Sequence, residues 1–259
     1  MQRVLLGFLF VALGTGAVRA ACTPFGGDDS GCLTTSKAAA SCEEKIAGNV
    51  ATKLVLGIAK CHAKQVSDAF KAVAKSTTST FDEESCEDTA VSKFTSVSST
   101  ASCPCVNTAT IASAARAMLD SNNSLVFCDP AGPSIASVDV GDTSGDDTGH
   151  VPSTKAILGC EAKLGKCVTL LVKGYAKCHQ LAQKAAVNGK TFDEDGCETT
   201  DPKGPAQAYT KCVGSLTGCQ GCEVANEPTI AADVDAALDG SNGLVFCESP
   251  SGAFLDGAR

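Results

Sequence analysis

Apolar residues recur every three or four positions through two long stretches of the chain. They are Cys42, Ile46, Val50, Leu54, Ile58 and Cys61 in the first, and Ile157, Cys160, Leu164, Cys167, Leu171 and Cys178 in the second. This is the period of an α-helix with one buried face, so each stretch is expected to form a long amphipathic helix. Further on, Thr80-x-x-Glu83 and Thr191-x-x-Glu194 have the form of a capping box, in which side chains satisfy the free N–H groups of a helix start. A second helix is expected near each, delayed or broken in the later stretch by Pro202, Gly204 and Pro205. A third, short helix is expected near 108–120 and again near 229–239, closed by Asp, Gly, Asn and Ser turn residues. The Leu-Val-Phe-Cys run that follows each, at 125–128 and 244–247, suits a short terminal strand.

These parallels extend over the whole chain at an offset near 118 residues. Gly27-Asp28-Asp29-Ser30-Gly31 returns as Gly145-Asp146-Asp147-Thr148-Gly149, and Cys42-Glu43-Glu44-Lys45 as Cys160-Glu161-Ala162-Lys163. Ala59-Lys60-Cys61-His62 returns as Ala176-Lys177-Cys178-His179, and Thr80-Phe81-Asp82-Glu83 as Thr191-Phe192-Asp193-Glu194. Matches in one order throughout imply duplication. The expected architecture is all-α, with two tandem disulfide-stapled helical-hairpin units at 21–135 and 136–259. Residues 1–20 read as a secretory leader, with Arg3, the apolar run Val4 to Gly14, and the small residue Ala20 at the cut.

Export changes how the 16 cysteines are read, because an oxidising compartment turns an even number into a disulfide framework. Partners across two antiparallel helices have residue numbers with a constant sum. Cys160–Cys219 and Cys167–Cys212 share one sum exactly, and Cys178–Cys197 falls close to it, near the turn. Cys42–Cys103 and Cys61–Cys86 repeat the outer pairs, and Val50 replaces Cys167 on the same seam. The remaining cysteines then give Cys105–Cys128, Cys222–Cys247 and Cys22–Cys32, with Cys103/Cys105 and Cys219/Cys222 open to exchange of partners. With no Trp and 5% aromatic residues, each core is built of small aliphatics and depends on such staples. Loss of Arg3 and Arg19 with the leader leaves 19 basic residues against 29 acidic ones, a net charge of −10. That surface repels nucleic acid and anionic lipid, and no stretch reads as a membrane span.

The order Gly-Asp-Asp-Ser/Thr-Gly, Cys-Glu-x-Lys, Lys-Cys-His, Phe-Asp-Glu-x-x-Cys-Glu, and Cys-Pro-Cys or Cys-Gln-Gly-Cys resembles a group of uncharacterised, exported, cysteine-rich helical repeat proteins of environmental bacteria. The resemblance implies a bacterial envelope or exterior location and brings no activity, cofactor or catalytic residue with it.

Several motifs invite chemistry. Lys-Cys-His at His62 and His179 lacks the first cysteine of a haem-attachment motif, which is replaced by Ile58 and Tyr175. An exposed histidine beside a disulfide is the plainer reading. Cys219-Gln220-Gly221-Cys222 has redox or zinc spacing, but an exported, even-cysteine chain favours structural bridges. The acidic loops, with Asp28 and Asp29 before the first long helix and Asp142, Asp146 and Asp147 before the second, offer carboxylates to calcium. Turns in which Asp bonds its own backbone compete with that reading. The Phe-Asp-Glu pairs are explained by helix capping. No nucleophile–histidine–acid set, zinc-protease helix or phosphate-binding glycine loop is present in the sequence. A non-enzymatic secreted or periplasmic module that meets a protein or cell-envelope component is the leading expectation. A calcium, haem or redox protein, or a hydrolase using the acidic loops, are the alternatives.

Overall fold

A computed structural model of the chain describes residues 23–25, 28–99, 103–138, 147–219 and 221–253. The leader lies outside this set, as do Asp142, Asp146 and Cys22, and hence the Cys22–Cys32 bridge. The fold is all-α and disulfide-rich, and among the described residues no helix is long and apolar enough to cross a membrane.

The first apolar stripe forms α1 (Lys37–Asn49) and α2 (Leu56–Ala74), joined without a break by a π-helical turn, Val50–Val55. The second forms one uninterrupted helix, α5 (Lys155–Val187). One residue more separates Cys42 from His62 than separates Cys160 from His179. The π turn absorbs that extra residue, so both histidines reach equivalent positions. Ser36 caps α1 by accepting a hydrogen bond from the Ala39 N–H, and Thr154 caps α5 from that of Ile157.

Each long helix is crossed closely by the next. A methyl group on Gly57 would lie 2.6 Å from the Ala90 Cβ, and one on Gly174 would lie 2.3 Å from the Pro205 Cβ. These two glycines are equivalent in the repeat and bring the second helices, α3 (Glu83–Ser98) and α6 (Pro205–Val213), against α2 and α5. Pro205 at the first position of α6 and the π-helical Gly196–Thr200 before it account for the delayed second helix of unit two. The third helices, α4 (Thr108–Val126) and α7 (Cys222–Ser241), are longer than expected. The Leu-Val-Phe-Cys runs are not strands. Leu125 and Val126 end α4, and Leu244 closes a 3₁₀ turn.

Five of the expected bridges form: Cys42–Cys103, Cys61–Cys86, Cys160–Cys219, Cys167–Cys212 and Cys178–Cys197. Cys105–Cys128 and Cys222–Cys247 do not. The partners are exchanged between units, as Cys105–Cys247 and Cys128–Cys222. The end of each unit packs on the other, so Val245 and Phe246 join the core of Ile46, Leu54, Ile58 and Phe94, while Leu125 and Val126 pack against the core of Leu164, Leu171 and Tyr175.

Two buried acids fasten these exchanged ends. Glu43 Oε1 accepts hydrogen bonds from the N–H groups of Cys247 (2.9 Å) and Glu248 (3.0 Å), and Glu161 Oε1 accepts one from Cys128 (3.1 Å). Burial outweighs these hydrogen bonds and pushes Glu43 up to about 7 and Glu161 up to about 8. A folded-state value above the unfolded one means that stability is complete below the unfolded pKa and is lost as pH rises toward 7–8. Glu43→Gln keeps the acceptor oxygen and removes the charge. It is expected to leave the melting temperature at pH 4.5 unchanged and to raise stability at pH 8–9 by about 3 kcal/mol, measurable by thermal unfolding across that pH range.

Candidate metal centres

His62 and His179 are buried, each 3% exposed, which corrects the expectation of exposed histidines. The reason lies in the helix turn: one residue beyond the seam cysteine is a step of about 100°. That step carries each imidazole to the flank of the stripe, beneath the third helix. Around His62 Nε2 stand four carboxylate oxygens: Glu87 at 3.0 Å, Asp120 at 3.2 Å, Asp147 at 3.5 Å and Glu83 at 3.6 Å. Around His179 Nε2 stand Glu198 at 3.2 Å, Asp29 at 3.3 Å, Glu194 at 3.3 Å and Asp239 at 3.6 Å. The two sets match residue for residue in the repeat.

Each position has a local cause. Glu83 and Glu87, like Glu194 and Glu198, are four apart, which puts both on one face of a helical turn. Glu83 is not the capping-box residue the sequence implied. Asp82 caps α3, accepting from the Ser85 N–H at 2.9 Å, and Asp193 takes the corresponding role for the Gly196 N–H at 3.0 Å. With the cap supplied one residue earlier, Glu83 and Glu194 turn inward. Asp120 comes from the penultimate turn of α4 and Asp239 from the last turn of α7.

The fourth carboxylate comes from the acidic loops. Thr148 holds its loop against unit one by hydrogen bonds to the Asp120 carbonyl, and Ser30 does the same at the Asp239 carbonyl of unit two. The loop before unit two therefore completes the centre of unit one, and the loop before unit one completes the centre of unit two. Of the acids expected in those loops, Asp29 and Asp147 enter the centres, Asp28 remains exposed, and Asp142 and Asp146 lie outside the described residues.

The electrostatics are one-sided. Burial alone would lower His62, but Asp120 and Glu87, with the charges of Asp147 and Glu83, raise it to about 10. Burial likewise opposes protonation of His179, and Asp239, Asp29 and Glu198 raise it to about 12. Even so, one imidazole N–H cannot bond four carboxylates. As ionised carboxylates, Asp29, Glu83, Glu87, Asp147, Glu194, Glu198 and Asp239 each bring a buried oxygen with no hydrogen-bond donor, an arrangement that is costly unless a metal ion or shared protons receive them. The spacing suits a metal ion. Donors bonded at about 2.1 Å to an octahedral ion lie about 3 Å apart along its edges. The donor atoms of His62, Asp120 and Asp147 are all within 4.8 Å of one another, as are those of His62, Glu83 and Glu87, and those of Asp29, His179 and Glu194.

The outer oxygens are tied back where the inner ones converge. Gln65 donates to Asp147 Oδ2 at 2.8 Å, and Arg116 Nε donates to Glu87 Oε2, the kind of support that orients metal ligands. Cys219 and Cys222, the redox-like pair, are each in a separate disulfide, and so are Cys61 and Cys178 of the haem-like motif. Two surface grooves, of about 590 Å³ and about 330 Å³, are not lined by any carboxylate of the two centres.

Of these residues the sequence placed only Asp29 and Asp147 in a candidate cation site. His62 and His179 were met only through a haem-like motif and Glu83 and Glu194 only as capping residues, and Glu87, Asp120, Glu198 and Asp239 were missed. The signal was the duplication itself, since every one of these polar residues recurs at its equivalent place in the second unit. No family model, curated protein or solved structure matches the chain.

Proposed function

We propose that the chain is an exported, non-enzymatic cation-binding protein whose two buried centres each hold one divalent metal ion through one imidazole and four carboxylates. The observation that carries this reading is the convergence of four buried carboxylates on a single nitrogen, repeated in both units. Hard carboxylate oxygens with one borderline nitrogen suit manganese(II) or iron(II). Zinc favours fewer donors with more nitrogen or sulfur, and calcium favours oxygen alone. Calcium at the acidic loops is thereby recast as one competitor for the complete centres.

The absence of centre carboxylates from both grooves counts against a hydrolase that uses them. Seven bridges between described cysteines, with no free cysteine among them, and the leader-like residues 1–20 support delivery to an oxidising secreted or periplasmic location. The acidic surface supports a protein or cell-envelope partner over nucleic acid.

The test is calorimetric titration of the chelator-stripped, oxidised protein with manganese(II), alongside elemental analysis after dialysis. Two equivalents per chain are expected, reduced to one in either His62→Ala or His179→Ala and to none in the double variant. No saturable uptake of manganese(II), iron(II), zinc(II) or calcium(II) by the folded wild type would overturn the proposal and leave the cages as proton-held structural networks.

A further inference from the structure

The two centres match in their five inner residues and differ sharply just outside them. Arg116 of α4 occupies the place that Asp235 occupies in α7. The Arg116 guanidinium lies against Glu87 and reaches the Glu84 side chain at 3.4 Å and Asp88 at 3.2 Å. In unit two, Tyr175 stands where unit one has Ile58, and Asp235 acts electrostatically on its phenol. The neighbours of Asp235 include Asp28, Asp29 and Asp239, all acidic. The His62 centre thus carries a fixed positive charge on one of its ligands, and the His179 centre carries an additional carboxylate in the same place.

Resting on the reading above, we infer that the centres fill in order: the His179 centre is the tight, resident site, and the His62 centre is a weaker, exchangeable one whose affinity is set by Arg116. A cation beside Arg116 shares Glu87 with a guanidinium and feels its repulsion. A cation beside Asp235 feels an extra attraction. Arg116 and Asp235 differ by two charges, of which Asp88 beside Arg116, replaced by Thr199 in unit two, offsets one; the remaining charge, at the effective dielectric of a partly buried site, separates the affinities by at least about tenfold. The asymmetry also has a structural side. The tight centre takes Asp29 from the N-terminal loop and so secures that loop, whereas the weak one takes Asp147 from the loop between units.

Titration of the stripped wild type with manganese(II), followed by calorimetry and by the electron paramagnetic resonance of free manganese, is expected to give two steps at least tenfold apart. His179→Ala removes the tighter step and His62→Ala the weaker one. Arg116→Gln, at a side chain only one-quarter exposed but on the outer edge of its centre, tightens the weaker step toward the other by about fivefold or more. Asp235→Asn weakens the tighter step and leaves the weaker one in place. Two equal steps in the wild type, or a weaker step that Arg116→Gln leaves unchanged in a folded protein, would overturn the order while leaving the two-centre reading intact. A complete absence of saturable binding would overturn both.

Discussion

With both proposed centres filled by manganese(II), the oxidised protein is expected to melt about 15–30 °C higher than after chelation. An ion that binds only the folded state contributes about 4 kcal/mol when present at a thousandfold its dissociation constant. Two centres contribute about twice that, and a chain of this size shifts by roughly 2–4 °C for each kcal/mol. The contributions add because the units do not unfold separately: each centre takes a ligand from the loop that precedes the other unit's ligand helices, and two disulfides cross between units.

The same measurement on Glu83→Gln/Glu194→Gln separates a metal centre from a structural ion cage. Burial, and then the neighbouring acids, push both carboxyls upward, so in the ion-free protein each holds a proton that the Gln amide imitates. The stripped variant is expected to melt within a few degrees of stripped wild type, yet to recover much less on adding manganese(II). A cage held together by imidazolium–carboxylate pairing alone predicts no ion-dependent increment in either protein. Differential scanning calorimetry with and without chelator decides between them.

How much of this was legible before the fold was known depended on how local each feature is. The long helices follow from apolar periodicity, and the bridges between neighbouring helices follow from cysteines spaced by whole turns, as at Cys160, Cys167 and Cys178. The π-helical turn left a trace too, in the extra residue between Cys42 and His62. The exchanged bridges left none, for a physical reason. In a duplicated chain, Cys105 meets the same surroundings at Cys128 as at the equivalent Cys247, and only the path of the segment joining the units decides between them.

The centres were hidden for a related reason. Glu83 and Glu194 satisfied a local capping pattern, and that explanation sufficed until Asp82 and Asp193 proved to hold the N–H groups instead. Asp120 and Asp239 lie in helices distant in sequence from the histidines they meet. Asp29 and Asp147 were recognisable as loop acids, but the sequence assigned each to the unit it precedes, whereas each serves the other end of the molecule.

The exchanged bridges carry the second large effect. Peptide mapping without reduction is expected to recover Cys105 joined to Cys247 and Cys128 joined to Cys222. With one crossing bridge intact, the other closes a ring of roughly 50 residues, so removing it by Cys105→Ala/Cys247→Ala costs about 4 kcal/mol through the entropy of the unfolded chain. Removing the second as well opens a ring of roughly 35 residues, closed through the intact Cys160–Cys219 bridge, and costs about 4 kcal/mol more. By contrast, Cys178→Ala/Cys197→Ala opens a loop with a sequence separation of 19, for which the same relation gives about 3 kcal/mol. The ordering has a consequence for the centres. Cys247 lies beside the Glu43 anchor, and Phe246, which packs edge-on to His179, precedes it directly. Loss of the Cys105–Cys247 bridge should therefore weaken manganese binding at the His179 centre more than at the His62 centre. Recovery of Cys105–Cys128 and Cys222–Cys247 in the peptide map would show that the units are closed on themselves and that their ends are not exchanged.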